Sequence, residues 1–539
     1  MRKKLYKRGI NLLVSCIMAT GLLLLEGSVV APLGKTYFVD SNIGNDNNNG
    51  LSKEKPWKTL SKVNNFFFNT GDKILFKAGC RWTGMLSPKG HGKNDSPNII
   101  DMYGSDSKPT IAANGLAAAA VYFSNQEYWE INNLEITNKA DSLGDFQGIS
   151  IVGEDYGIIN HFYIKNCYIH DITGEVRWIG GKKDGDKKGI HFMSGWDASK
   201  KTGGIVFNIQ TKAIKPVKTK FNDIRIENCI INDCSFGGII FKQLDGEVHW
   251  GIRKSDKDTT WYPHTNIIIK NNYLSQYKTE YGCNTIYVTD AKNVVIANNV
   301  CAGAGTCAIE AYYADSITIC ENETFDTKKK AGGADANGID PDKGTTNIIV
   351  QRNYVHDNVD GILVCQFVFG NSIIRYNIIQ NNSRYQIYLH SNSKASSSIY
   401  NNIFFNDKFN SAIVYGYGEF ITGKYEFLNN IFSSTKDKAG LTTGGGITYR
   451  NNCYYGPSVI APAEDTSKIV TDPRMVNPGK VEKGNTKGTA FETLSGYTLT
   501  QDSPCINAGS VILNNGGKDF WGNSLYKNKP DIGAQEVQY

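Results

Sequence analysis

The chain has 539 residues, 40 % of them hydrophobic and 20 % charged, which is enough apolar side chain for a large core and excludes disorder as its main state. The net charge of +6 falls to +2 without residues 1–31, where Arg2, Lys3, Lys4, Lys7 and Arg8 face only Glu26. Such a near-neutral remainder offers no electrostatic footprint for nucleic acid.

MRKKLYKR, an apolar stretch around Leu22 to Leu25 and small residues near Ser28 to Ala31 read as a bacterial-type secretory signal over residues 1–31. This predicts a secreted or cell-surface protein. Leu13-Val14-Ser15-Cys16 resembles a lipoprotein box, which makes a lipid anchor the alternative. No other apolar run is long enough to span a membrane. The other eleven cysteines are odd in number and show no CxxC. Most, such as Cys167, Cys229, Cys320 and Cys365, sit in strand-like runs and read as small buried side chains rather than a disulfide framework or a zinc site.

Residues 56–65 (PWKTLSKVNN) begin with Pro and space Trp57, Leu60 and Val63 as a short amphipathic helix, suited to capping the N-terminal end of a solenoid. From there one pattern recurs: an alternating apolar strand, an Asn, then a second short strand. The Asn positions are 133, 166, 228, 272, 299, 322, 353, 377, 402, 430 and 452, mostly 22 to 33 residues apart. That spacing is one coil of a parallel β-helix, whose turns bury their apolar faces only by stacking. Asn suits the corner because it tolerates left-handed backbone and can bond the Asn of the next turn. The two longer intervals hold Lys/Gly-rich insertions at about 180–220 and 243–265, read as loops beside a groove.

The opening KTYFVDSNIGNDNNNGLSKEKPWKTLSKVN with GDKILFKAGCRW, and the ending SPCINAG…DFWGN…PDIGAQE, resemble the caps and last turns of right-handed parallel β-helix proteins of the pectate-lyase-like superfamily. The resemblance implies an all-β, right-handed parallel β-helix and a role on polysaccharides, without choosing the reaction. The organisation expected is a signal over 1–31 and a single domain over 32–539. Within that domain 32–110 forms the N-terminal cap and first turns, 121–455 the repeated coils, and 456–539 the C-terminal turns and cap.

Aligning the strand starts QGISIV, KGIHFM, GGIIFK, NTIYVT, CAIEAY, NGIDPD, DGILVC, YQIYLH and SAIVYG builds a register. One outward column reads Ser150, His191, Ile240, Tyr287, Glu310, Asp340, Leu363, Tyr388 and Val414. Two residues on, a second reads Val152, Met193, Lys242, Thr289, Tyr312, Asp342, Cys365, His390 and Gly416, on the same face. Glu310, Asp340 and Asp342 thus cluster on two adjacent turns, within about one sugar ring at a coil spacing of roughly 4.8 Å. Like charges that close raise at least one pKa, which supplies an acid beside an ionised partner, as glycoside hydrolysis needs. Glu310 is the expected acid and Asp342 the expected base. Tyr287, Tyr312, Tyr388, His390 and Arg384 are the expected substrate contacts. No metal or other cofactor is expected, and the protein is read as a monomer acting on a polysaccharide or oligosaccharide.

The segment carrying Asp340 and Asp342 also resembles secreted β-helix glycosidase-like proteins, in which an Asp-x-Asp pair precedes a run like Tyr354, His356, Asp357 and Asn358. His356 and Asp357 lie past the Asn corner and read as structural. Two rival functions stand beside the hydrolase. A calcium-dependent lyase acting on uronic-acid glycans would bind calcium through Asp335, Asp340, Asp342 and Asp360, with Lys343, Arg375 or Arg384 as base. The other rival is a non-catalytic glycan-binding surface β-helix.

Overall fold

The computed structural model describes residues 34–539 except 175, 180–189, 194–201, 244–249, 281, 332, 334, 527–528 and 539. The signal reading and parts of both insertions fall outside the described residues, and Gly203–Gln210, expected within a loop, is a strand of the third sheet. Three parallel sheets of 14, 13 and 10 strands run the length of the coil, and each strand pairs with those one coil away. This is the expected parallel β-helix. A five-residue helix, α1 (Leu60–Asn64), is capped by Thr59, whose side chain accepts from the Lys62 amide. Its Leu60 and Val63 join Trp57 and Tyr37 at the start of the main core. No helix among the described residues is long and apolar enough to cross a membrane.

The interior is built from stacks of like residues. In the third sheet Ile149, Ile205, Ile239, Ile286, Ile309, Ile339, Ile362 and Ile387 succeed one another in register, each fully buried. β-branched side chains suit this pleated, close-packed surface.

The asparagine corner is real, but it occupies two adjacent positions. Asn133, Asn166 and Asn228 have left-handed backbone, with φ of 57° in each. In the later coils that conformation belongs to the preceding residue, such as Asn271, Asn298, Glu321 and Arg352. The Asn itself moves one place on and turns inward. Asn272, Asn299, Asn322, Asn353, Asn377, Asn402, Asn430 and Asn452 form a buried ladder. Each of the first seven donates its backbone N–H and its Nδ2 to the Oδ1 of the Asn one coil later, at 2.9–3.0 Å. Asp465 ends the ladder, accepting from the Asn452 amide at 3.0 Å and the Asn451 amide at 2.7 Å. Cys229 begins it, its amide donating to Asn272 at 2.9 Å.

Among the described residues of 456–539 no further strand forms, and a single parallel bridge from Cys453 to Ile469 is what continues the stack. The last strand of the second sheet is Cys453–Tyr455, and beyond it the chain becomes an irregular strap that runs back over that sheet. The reason is apolar: Tyr354, Ile378, Ile403, Ile431 and Cys453 point outward there, and Leu494, Tyr497, Leu499, Cys505, Phe520 and Ile532 cover them. Glu323 pins the strap, its buried carboxylate accepting from the amides of Gly484 at 2.8 Å and Ala490 at 2.6 Å.

Replacing Asn377 by Ala takes the side-chain acceptor from the buried Asn353 amide and removes the Nδ2 donor to the Val350 carbonyl and to Asn402 Oδ1, and a buried group left unpaired costs roughly 1–3 kcal/mol. Asn377→Ala should therefore lower the denaturant midpoint sharply. The exposed strand residue Ser398 serves as control, and Ser398→Ala should stay within about 0.5 kcal/mol of the parent.

Candidate active site

The third sheet orders its outward column as Ser150, Val206, Ile240, Tyr287, Glu310 and Asp340, each paired with the next. Glu310 and Asp340 are thus direct neighbours, as the register predicts. Two other assignments shift. His191 is not in this column: its strand pairs only with Val176–Ile179, and Gly203–Gln210 supplies Val206 and Asn208 instead. Beyond Tyr388 the register slips by one, so Tyr388 faces Tyr415 rather than Val414, while Val414 continues the inward stack from Ile387.

Around the acids, burial divides the carboxyls. Asp340 is 2 % exposed and Glu310 6 %, whereas Asp335 and Asp342 are partly exposed. Glu310 accepts from Asn284 Nδ2 at 2.9 Å. Asp340 Oδ2 accepts from the Cys307 thiol at 3.2 Å, and its Oδ1 has no hydrogen-bond partner. Burial, then the charges of Asp342, Glu310 and Asp335, push the Asp340 carboxyl well above its usual range. Asp335 lies in the loop before the strand Asn337–Pro341, and burial followed by Glu310 and Asp360 raises it to about 6. Asp342 continues past that strand, its amide donating to Ala311 O at 2.9 Å, and its Oδ1 accepts from the Lys343 amide.

Asp335 is the residue that periodicity misses as an acid. It lies outside any strand, and its Asp-rich surroundings (ADANGIDPD) were the one available signal.

The aromatic expectations separate. Tyr287 is fully buried against Val206, Phe236 and Ile240, edge-on to Phe236, and has no ring face left for a sugar. Tyr312 packs partly on that cluster and meets Tyr313 edge-on at 4.7 Å. Two coils past Asp340, Tyr388 stacks parallel to His390 at 5.7 Å, and Tyr417 closes on His390 at 4.9 Å. Burial lowers the His390 pKa. Arg384 forms a two-point pair with the buried Asp360 and lies over the rings of Tyr385 and Tyr388, at 5.0 and 5.5 Å. Tyr388, His390, Tyr415 and Tyr417 thus form an aromatic cluster on the C-terminal side of the acids.

The rival residues fare differently. Arg375 bonds Gln351, Tyr400 and Asn514 from the end of a first-sheet strand, away from the acids. Lys343 lies over the Tyr313 ring at 5.8 Å. His356 is buried in the second sheet between Glu323 and Asp357, at 3.1 and 3.0 Å, where it supports the strap.

The structure is thus a parallel β-helix with an outward carboxylate cluster and flanking aromatic rings. No family model matches the chain. It is 25 % identical, over an alignment of 610 residues, to a lacto-N-biosidase of Bifidobacterium longum subsp. longum, which takes in 95 % of this chain and 37 % of that protein. The chain therefore spans well under half the length of this relative. The crystal structure of a GH136 lacto-N-biosidase from Eubacterium ramulus superposes with a TM-score of 0.57 at 21 % identity, covering 72 % of this chain and 66 % of that one. The complex of XylC with xylose superposes at 0.50 with 11 % identity, covering 93 % and 98 %. These structural likenesses are likenesses of fold.

A carboxyl whose folded pKa is raised from 3.8 to about 6 favours the folded state fully below its unfolded value. That contribution is lost as pH rises through about 6. Asp335→Asn removes the penalty, so the variant should melt higher than the parent at pH 7 and converge with it near pH 4. The upper bound on the gain is about 3 kcal/mol.

Proposed function

We propose that the chain is a glycoside hydrolase acting on an oligosaccharide, of the lacto-N-biosidase kind, with Asp335 as general acid and Asp342 as the second carboxyl. The observation that carries this reading is the division of the carboxyls by burial. Asp335 and Asp342 are the two a substrate can reach, and Asp335 keeps its proton to about pH 6 above the buried pair Glu310 and Asp340. An acid near neutrality gives its proton to the leaving glycosidic oxygen. The second carboxyl serves the anomeric carbon or its water. Glu310, read from the sequence as the acid, then acts from beneath by keeping Asp335 protonated. Tyr388, His390 and Arg384, with Tyr415 and Tyr417, receive the sugar rings. The sequence relative supports the reaction class.

The basic start of the chain supports export to the cell surface or beyond. A monomer without a catalytic metal completes the reading.

Incubation with a glycan panel that includes lacto-N-biosidase substrates should give new reducing ends without unsaturated products, and a chelator should leave the rate unchanged. Unsaturated ends lost on chelation and restored by calcium would establish the lyase instead. Asp335→Asn and Asp342→Asn should each cut turnover by about 10²–10⁴-fold with the fold retained. Turnover in the parent should fall as pH rises past about 6, where Asp335 loses its proton.

A further inference from the structure

Cys307 is buried beside the acids in a role that hydrolysis does not need. Its Sγ, a carboxylate oxygen of Asp335 and one of Asp340 all lie within 4.8 Å of one another. The thiol touches Asp340 Oδ2 at 3.2 Å and accepts from Asn337 Nδ2 at 3.4 Å. Two further oxygens are buried there without a hydrogen-bond partner. One is Asp340 Oδ1. The other is Oδ1 of Asn337, whose amide end rests on the thiol and which is fully buried. A buried carboxyl oxygen left without a partner is costly unless a cation or donor meets it.

We propose that Cys307, Asp335 and Asp340 form a site for a thiophilic divalent cation of the zinc and cadmium class, which shuts the enzyme when it binds. One sulfur and two carboxylate oxygens leave an open fourth position, the donor set of a tetrahedral zinc site. With Zn–S of about 2.3 Å and Zn–O of about 2.1 Å, tetrahedral ligand atoms stand roughly 3.5 Å apart, which small side-chain shifts reach from the present spacing. The thiolate selects zinc or cadmium over calcium or magnesium, which take oxygen shells. Asp335 is the partly exposed member and provides the way in from solvent. Binding releases the thiol proton together with any proton carried by the two carboxyls, and takes Asp335 out of service as a proton donor. The inhibitory consequence rests on the hydrolase reading, but the binding does not.

Cadmium titration of the full chain tests the binding through the thiolate-to-metal charge-transfer absorbance, which needs no substrate. One saturating equivalent is expected. Cys307→Ser should abolish the band, Asp335→Asn should weaken affinity at least tenfold, and Cys365→Ser, which removes the other thiol near Asp342, should leave the band intact. Melting curves accompany each variant. Should Cys307→Ser fail to fold, the partly exposed Asp335→Asn carries the test alone. No band in the parent, a band surviving in folded Cys307→Ser, undiminished affinity in Asp335→Asn, or a band lost only in Cys365→Ser would overturn the site. Zinc should suppress parent turnover on the responsive glycan, and unchanged turnover at saturating zinc would overturn the inhibitory role. A cadmium band in a protein that cleaves no glycan would sustain the site and sink the hydrolase reading.

Discussion

A solenoid coil has to turn its backbone sharply at the same place in every layer, and the amides left at that corner are out of reach of water. The asparagine ladder answers this constraint. Each side chain accepts from the layer before and donates to the layer after, so the corner's polar groups are satisfied along the axis rather than across it. The ladder holds the coils in register. Register in turn decides which side chains share the outer face, because a slip of one residue would send the whole column to the opposite side of the sheet.

The carboxylate cluster is a product of that register, and the stable scaffold offsets its cost. Four carboxyls, Glu310, Asp335, Asp340 and Asp342, meet over two adjacent layers, and two of them are held well above their ordinary pKa by burial and mutual repulsion. A mobile loop would relieve such crowding by moving apart. The strand that carries Asp340 is hydrogen-bonded on both sides and cannot, so the repulsion there persists as a raised pKa. The inward neighbours Ile309 and Ile339, both fully buried, fix the strands from beneath.

Much of this was legible in the sequence because a β-helix writes its geometry in one dimension. The Asn spacing marked the coils, and a shared isoleucine placed Glu310 beside Asp340. What failed did so for physical reasons. KGIHFM has the apolar rhythm of a strand but belongs to an insertion, and rhythm alone does not distinguish the two. Ile413 lies just before its strand, so aligning on it displaced the column by one. Tyr287 does point outward, but outward is not exposed where Phe236 and Val206 cover the same face. Asp335 sits in a loop, where no period applies. Beyond Ile469, which bridges to Cys453, the strap left no periodic trace because its contacts run back along the coil instead of to a neighbouring turn.

That strap also constrains how the protein can change length. In an ordinary repeat array each unit contacts only its neighbours, so whole units can be gained or lost without disturbing the rest. Here Glu323 binds Gly484 and Ala490, 161 and 167 residues further along the chain. Asn401 and Asn429 hold Asp531 and Ser510 in the same way. Duplicating one coil between Glu323 and Cys453 would move these anchors apart by about 4.8 Å, while the strap stayed as long as before. The strap thus works as a ruler laid along the solenoid, and it ties the number of coils in this stretch to its own length.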